Sequence, residues 1–250
     1  FNKNAYADQW RLKENVARNG SLYPTHGIGP IAQCLNINRG DRMDHLSSLS
    51  TGDFSLADLA KEKAKEDAIW KPFEGKSFRG NMNTTIIRSV KGKTMMIQHD
   101  VSTPRPYSRI HLLSGTKGMA QKWPSPQRIA FGHSWVNKEE FAKLEEKYTP
   151  PIVKHIGAIA KEVGGHGGMD FIMDWRLIDC LRNGLPLDQD VYDAAAWSSI
   201  VPLSERSVKK RGSSVDVPDF TRGAWATNQP VSLSLEGGAN TGVRTLPKQS

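Results

Sequence analysis

The sequence predicts an α+β fold, a two-layer domain in which a large open, mostly antiparallel sheet carries helices packed on one face. Between Asn83 and Phe131 the chain is a run of short β-branched or alternating segments separated by turn residues. Helical patterns lie before and after that run, not between its members. Strands joined by such short turns cannot be parallel, since a parallel crossover needs about a dozen residues or more. The 250 residues, 38% hydrophobic and 24% charged, are enough for one large domain or two small ones with a genuine core.

The stretch to about Arg18 mixes aromatic and charged residues without a clean period, and Asn19-Gly20 signals a turn. Tyr23-Pro24-Thr25-His26-Gly27-Ile28-Gly29-Pro30 leads into an apolar run, Ile31 to Leu35, that reads as a short helix. Met43–Ser50 reads as a strand and Leu56–Ala68 as an exposed, strongly charged helix. Thr84–Val90 and Thr94–Asp100, joined through Lys91-Gly92, form a hairpin. Arg109–Ser114, Met119–Lys122 and Arg128–Phe131 continue the strand run. Lys138–Tyr148 is a helix capped by Asn137, with Glu140 completing a capping box. A further helix covers Ile152–Glu162 after Pro150-Pro151. Met169–Asn183 is amphipathic through Phe171, Ile172, Trp175, Ile178 and Leu181, and stops at Gly184. Asp188 caps Val191–Val208, which buries Val191, Ala194, Ala195, Ile200 and Leu203. These elements set a domain over 1–211 and an extended tail over 212–250.

Composition removes several function classes. No apolar run approaches the roughly 20 residues that span a bilayer. The net charge of +8 comes from scattered basic residues, and the cluster Lys209-Lys210-Arg211 reads as a solvated helix end, so nucleic acid is not an expected partner. Cys34 and Cys180 lie among apolar neighbours and read as buried free thiols. The chain opens at Phe1 without a signal-peptide pattern, which reads as the interior of a longer polypeptide. There is no GxGxxG after a strand and no GxxxxGK[ST], so nothing here cradles a dinucleotide pyrophosphate by itself.

Two segments carry candidate chemistry. Tyr23-Pro24-Thr25-His26 sets a phenol and an imidazole three residues apart at a helix start, a pair able to hold a sugar hydroxyl and move protons at neutral pH. The plainer alternative is a helix start where Thr25 caps and His26 merely packs. Gly164-Gly165-His166-Gly167-Gly168 frames one histidine with four glycines at the start of a helix whose N–H groups can donate to an oxygen ligand, against a flexible connector with an incidental histidine. Arg105-Pro106-Tyr107 follows a strand and projects Tyr107 at a sheet edge. Asp188-Gln189-Asp190 fits no known metal loop and no metal is expected; His45, His111, His133 and His155 read as structural.

Taken together, Leu22-Tyr23-Pro24-Thr25-His26-Gly27, Asn36-Ile37-Asn38-Arg39-Gly40-Asp41-Arg42-Met43, Gly165-His166-Gly167-Gly168-Met169-Asp170 and the long run Leu185 to Ser198 resemble glycoside hydrolase family 109, within the Gfo/Idh/MocA group of nicotinamide-dependent proteins. The likeness runs in order from about Trp10 to Ser207. It implies a two-domain protein, a Rossmann domain followed by an α/β domain, of which this chain covers the second. The implied activity is hydrolysis of N-acetylgalactosaminides, typically α-linked, with a tightly held NAD that oxidises the sugar 3-hydroxyl and later restores it. Elimination across C2 expels the leaving group in between, and water then adds. No carboxylate pair in glycosidase spacing is needed.

Carried over position by position, the resemblance implies a sugar site of Arg11, Tyr23, Pro24, Thr25, His26 and Tyr107, with Tyr23 also near the nicotinamide. His166 is assigned a proton-transfer role, and Tyr23 and His26 serve the 3-hydroxyl and C2 steps. The implied partners are an N-acetylgalactosamine-containing glycan, the Rossmann domain of the same protein and a homodimer through the sheet. The implied location is the bacterial periplasm or cell surface. Two other readings stay open: a sugar dehydrogenase that releases its reduced cofactor, and a carbohydrate-binding module without turnover.

Overall fold

The computed structural model describes residues 7–240 of the chain. Its described elements are seven α-helices and ten strands, with short 3-10 turns between them. They fall into two compact units. One comprises the residues up to Tyr107 with Ala195–Trp225, the other Ser108–Ala194 with the residues from Ala226 onward.

The first unit holds α1 (Trp10–Ala17), α2 (Thr25–Cys34), β1 (Met43–Ser50), α3 (Leu56–Glu66), β2 (Met82–Ser89), β3 (Thr94–Asp100), most of α7 (Val191–Lys209) and β8 (Val215–Asp216). Its sheet has the order β3-β2-β1-β8, antiparallel throughout. The hairpin expected around Lys91-Gly92 is present, with Gly92 at φ 87° and Met96 opposite Ile86. Strand side chains alternate between faces. Leu46, Ile87, Met95, Ile97 and Val215 are buried with Ile28 and Ala32 of α2 and Trp197, Ile200 and Leu203 of α7. Leu49, Ile86 and Met96 on the alternate positions are more than half exposed. Helices therefore cover one face only, as the α+β reading expects. A second cluster joins Leu12 of α1 to Leu56 and Ala60 of α3 and to Trp70, Phe73 and Phe78.

The second unit holds β4 (Leu112–Ser114), β5 (Gly118–Gln121), β6 (Arg128–Phe131) and β7 (Ser134–Trp135), a four-stranded antiparallel meander. With it come α4 (Lys138–Tyr148), α5 (Pro151–Val163), α6 (Met169–Asn183) and the small hairpin β9 (Leu233–Ser234) and β10 (Gly238–Ala239). The strands are thus shared between two sheets rather than gathered in one. Asn137 caps α4 by accepting the Glu140 N–H, and Gly184 ends α6 at φ 64°.

Three local expectations change. The cap of α7 is Asp190, not Asp188: Asp190 Oδ1 accepts the N–H groups of Tyr192 and Asp193, while Asp193 accepts the Asp190 N–H in return. Asp188 is drawn away because Arg176, 7% exposed, donates to its carboxylate through Nε and Nη2 at 3.1–3.2 Å. The burial on α6 and α7 is also narrower than the pattern suggests. Ile178, Leu181 and Val191 are exposed and Ala194 faces solvent, while Cys180, Ala196 and Trp197 are buried instead. Cys34 is exposed because Ile28 and Ala32, four residues apart, form the inward stripe of α2 and Cys34 lies about 200° round the helix from Ala32. Only Cys180 matches the buried free thiol. Among the described residues no helix is long and apolar enough to cross a membrane.

Candidate active site

The site in the first unit is built from three converging segments. In α1, Leu12 points into the core and Arg11 and Asn15 occupy a neighbouring face one turn apart, Asn15 Nδ2 donating to the Arg11 carbonyl at 2.7 Å. Asn15 in turn accepts Arg79 Nε at 2.6 Å, and the Arg79 N–H reaches the Asn15 carbonyl. Arg79 is 1% exposed, and burial pulls its pKa down to about 10, so the buried guanidinium stays charged at neutral pH.

The second segment is the turn Gly20-Ser21-Leu22. An added Cβ at Gly20 would lie 2.7 Å from Ser204 Oγ, which itself accepts the Ser21 N–H, so the turn is pressed onto α7. The third is β3, whose inward positions Met95, Ile97 and His99 alternate. His99 Nδ1 accepts the Leu22 N–H at 3.2 Å.

At the start of α2, Tyr23 Oη and His26 Nε2 share a hydrogen bond of 3.3 Å, with ring centroids 4.7 Å apart. The helix start relies on the Pro24 carbonyl, which accepts the Gly27 and Ile28 N–H groups; Thr25 is the first helical residue and makes no side-chain cap. The Arg11 guanidinium lies 4.7 Å from the Trp10 ring centroid and 4.8 Å from that of Tyr23, held between two aromatic faces. A cavity of about 510 Å³ opens here, lined by Trp10, Arg11, Asn15, Tyr23 and His99 among others. Glu14 is the carboxylate among the described lining residues, and Arg18 engages it at 3.2 Å.

His99 is the residue that the sequence reading passed over. Burial above all, then the Arg79 guanidinium, holds its imidazole well below the usual 6.5, at about 4, against the opposing pull of the Gly20 carbonyl and Asp100. The alternation Met95, Ile97, His99 on a strand already marked as half-buried was the available signal. The native state favours the neutral ring, so its contribution to stability is complete above pH 6.5 and is withdrawn as pH falls toward 4. The difference is worth roughly 3 kcal/mol. Chemical denaturation of wild type and His99→Asn from pH 7 to pH 4 should show a smaller acid loss in the variant. Equal losses would mean that another group carries the acid sensitivity.

The second unit contains the other predicted histidine. His166, at φ 47°, lies in the glycine loop, and its Nδ1 is 2.8 Å from Asp170 Oδ2 in the first turn of α6. Gly168 has φ 99°, and a Cβ there would meet the Ala160 backbone at 2.7 Å, so the loop needs glycine at that point. A cavity of about 670 Å³ beside it is lined by Gly165, Asp170, Phe171, Asp174 and Trp175 among others. The i, i+4 spacing of His166 and Asp170 could have indicated the pair. Of the expected sugar-site residues, Arg11, Tyr23 and His26 are brought together with Pro24 and Thr25 at the helix start. Tyr107 is 68% exposed in the coil after β3 and does not line the first unit's cavity.

The arrangement in the first unit can grip a small polar ligand against an aromatic-flanked guanidinium and pass protons through a phenol–imidazole pair. Residues 1–227 match the family description "Glycosyl hydrolase 109, C-terminal domain". The chain is 48% identical over 229 residues to the "Glycosyl hydrolase family 109 protein 2" of Shewanella sp. (strain ANA-3), covering 90% of this chain and 49% of that protein. It is equally similar, over 231 residues, to the family 109 protein of Shewanella amazonensis, covering 90% of this chain and 50% of that one. The chain belongs to glycosyl hydrolase family 109. It spans about half the length of the curated relatives it matches.

Proposed function

We propose that this chain supplies the substrate-binding half of a glycoside hydrolase that cleaves N-acetylgalactosaminides, α-linked ones by preference, with NAD as a resident cofactor. The observation that carries the reading is the Tyr23–His26 hydrogen bond beside the cavity walled by Arg11 and Trp10. Each partner can both donate and accept a hydrogen bond, and both are reachable, Tyr23 being 42% exposed. The one described carboxylate in that wall, Glu14, is tied to Arg18, so a two-carboxylate hydrolysis is not furnished there.

The donor set fits one end of the cofactor only. Tyr23 offers an exposed ring and phenol to a nicotinamide. No described segment has the glycine-rich strand-to-helix turn that a pyrophosphate needs, so the rest of the dinucleotide falls to another part of the full-length protein. Bound NAD would supply reversible hydride transfer at a sugar carbon. The chain's own residues then have proton work. Arg11, fixed between two rings, orients sugar oxygens. The Tyr23–His26 pair takes the 3-hydroxyl proton, the phenol handing its own proton to the imidazole, and once the exposed imidazole has released that proton to water the pair takes the C2 proton. His166, held by Asp170 in the second unit, keeps the proton-transfer role that the family resemblance implies. Release from a bacterial cell to the periplasm or surface, and pairing of two copies through the open sheet, belong to the same proposal.

The test is hydrolysis of nitrophenyl α-N-acetylgalactosaminide in heavy water by the full-length protein. Deuterium at C2 of the released sugar is the expected result. Release without deuterium would sink the elimination route while leaving a glycosidase. Stoichiometric NADH release would point to a dehydrogenase, and tight binding without turnover to a carbohydrate-binding module.

A further inference from the structure

His99 is bonded to the peptide unit just ahead of the Tyr23–His26 pair. Leu22 precedes Tyr23, and its N–H ends on His99 Nδ1 at 3.2 Å. From Leu22 the chain passes through Tyr23 directly into Pro24, at φ −79° and ψ −25°, and the first turn of α2. No loop lies between to absorb a change of direction. Whatever orients the Leu22 peptide therefore orients the Tyr23 phenol and the His26 imidazole that it meets. The neighbouring anchor, Ser21 N–H to Ser204 Oγ, fixes the turn's position on α7 and leaves its rotation to the next contact.

The surroundings keep that contact available. His99 is 9% exposed, packed at the end of the inward row after Ile97, and it forms part of the same cavity wall as Arg11 and Tyr23. The charged groups facing it are the guanidiniums of Arg79 and Arg11, which oppose a second positive charge, and Asp100, which favours one. Burial and the guanidiniums prevail, so the ring nitrogen remains an acceptor at neutral pH.

We propose that His99 is a positioning residue for the Tyr23–His26 pair: by accepting the Leu22 N–H it sets the rotation of the turn that leads into α2 and so holds the phenol in the cavity wall with the imidazole bonded to it. The proposal rests on the glycosidase reading only for its effect on turnover. Its geometric content is independent of any substrate.

The experiment compares full-length wild type with His99→Leu, which removes the acceptor, His99→Asn, whose Oδ1 stands near the Nδ1 position, and His99→Gln, whose oxygen stands near Nε2. Selective labelling of leucine amides and histidine rings gives Leu22 amide exchange and the His26 titration by NMR. Loss of the acceptor should speed Leu22 exchange roughly tenfold or more and move the His26 signal, with His99→Asn restoring both and His99→Gln restoring neither. Wild-type signals in His99→Leu, or indistinguishable Asn and Gln variants, overturn the proposal. If His99→Leu does not fold, the Asn and Gln contrast decides alone. In turnover, kcat should fall about tenfold in His99→Gln with KM changed less, and recover in His99→Asn. If the NMR contrast holds while wild type cleaves no glycoside, the glycosidase reading fails and the positioning role stands.

Discussion

His26→Ala in the full-length protein is expected to lower kcat for N-acetylgalactosaminide hydrolysis by roughly 10²- to 10⁴-fold, the range a positioned acid–base group contributes. KM should move little, because Arg11 and its two aromatic neighbours remain to hold the sugar. Tyr23→Phe keeps the ring against the Arg11 guanidinium and removes only the hydroxyl that bonds His26 Nε2. Its effect should fall in kcat as well, and the double variant should lose much less than the product of the two single losses. Groups that act as one relay are not additive. Steady-state kinetics on the three variants check this. Full additivity would show that the 3.3 Å contact is incidental, and turnover retained in His26→Ala would remove His26 from the chemistry.

Gly80→Ala is expected to be the most damaging small substitution in the first unit. An ideal Cβ at Gly80 would stand 1.9 Å from the Thr51 carbonyl oxygen and 2.7 Å from its carbon. The obstacle is backbone, so no side-chain rotation relieves it. Around it the ends of β1 and β2 are already joined, Thr51 N–H to the Met82 carbonyl and Asn81 N–H to the Gly52 carbonyl. A methyl group must prise these strand ends apart, at a cost of about 3 kcal/mol or more. The Gly80 carbonyl also accepts Arg79 Nη1, so displacement reaches Asn15 and α1, which carries Arg11. Urea denaturation at neutral pH reads the cost directly. A loss below about 1 kcal/mol would mean that the two strand ends separate freely and that their backbone contacts contribute little.

The geometry of the candidate site was legible where its contacts are local. Tyr23 lies just ahead of Pro24, the cap of α2, and His26 in its first turn, so three residues of local chain bring their side chains together. The glycine frame around His166 was visible for the same reason, although its partner Asp170, four residues on, was read only as a charge suited to the helix dipole. His99 was not legible as part of the site. Its meeting with Leu22 spans most of the first unit's chain, and no local pattern encodes which loop a strand's inward histidine will face.

What the amino-acid order determined by itself, then, is what depends on neighbours within about one helical turn or one hairpin. The β2–β3 hairpin through Gly92, the Asn137 cap of α4 and the Gly184 stop of α6 all follow from backbone geometry that single residues impose. Tertiary structure alone decided that the strands divide into two sheets and that β8, far along the chain, completes the first by pairing with β1. It likewise decided that Arg176 captures Asp188 and leaves Asp190 to cap α7. Two aspartates a residue apart have nearly equal local claims on a helix start. The choice fell to a buried guanidinium that had to be neutralised, and burial is a property of the folded chain.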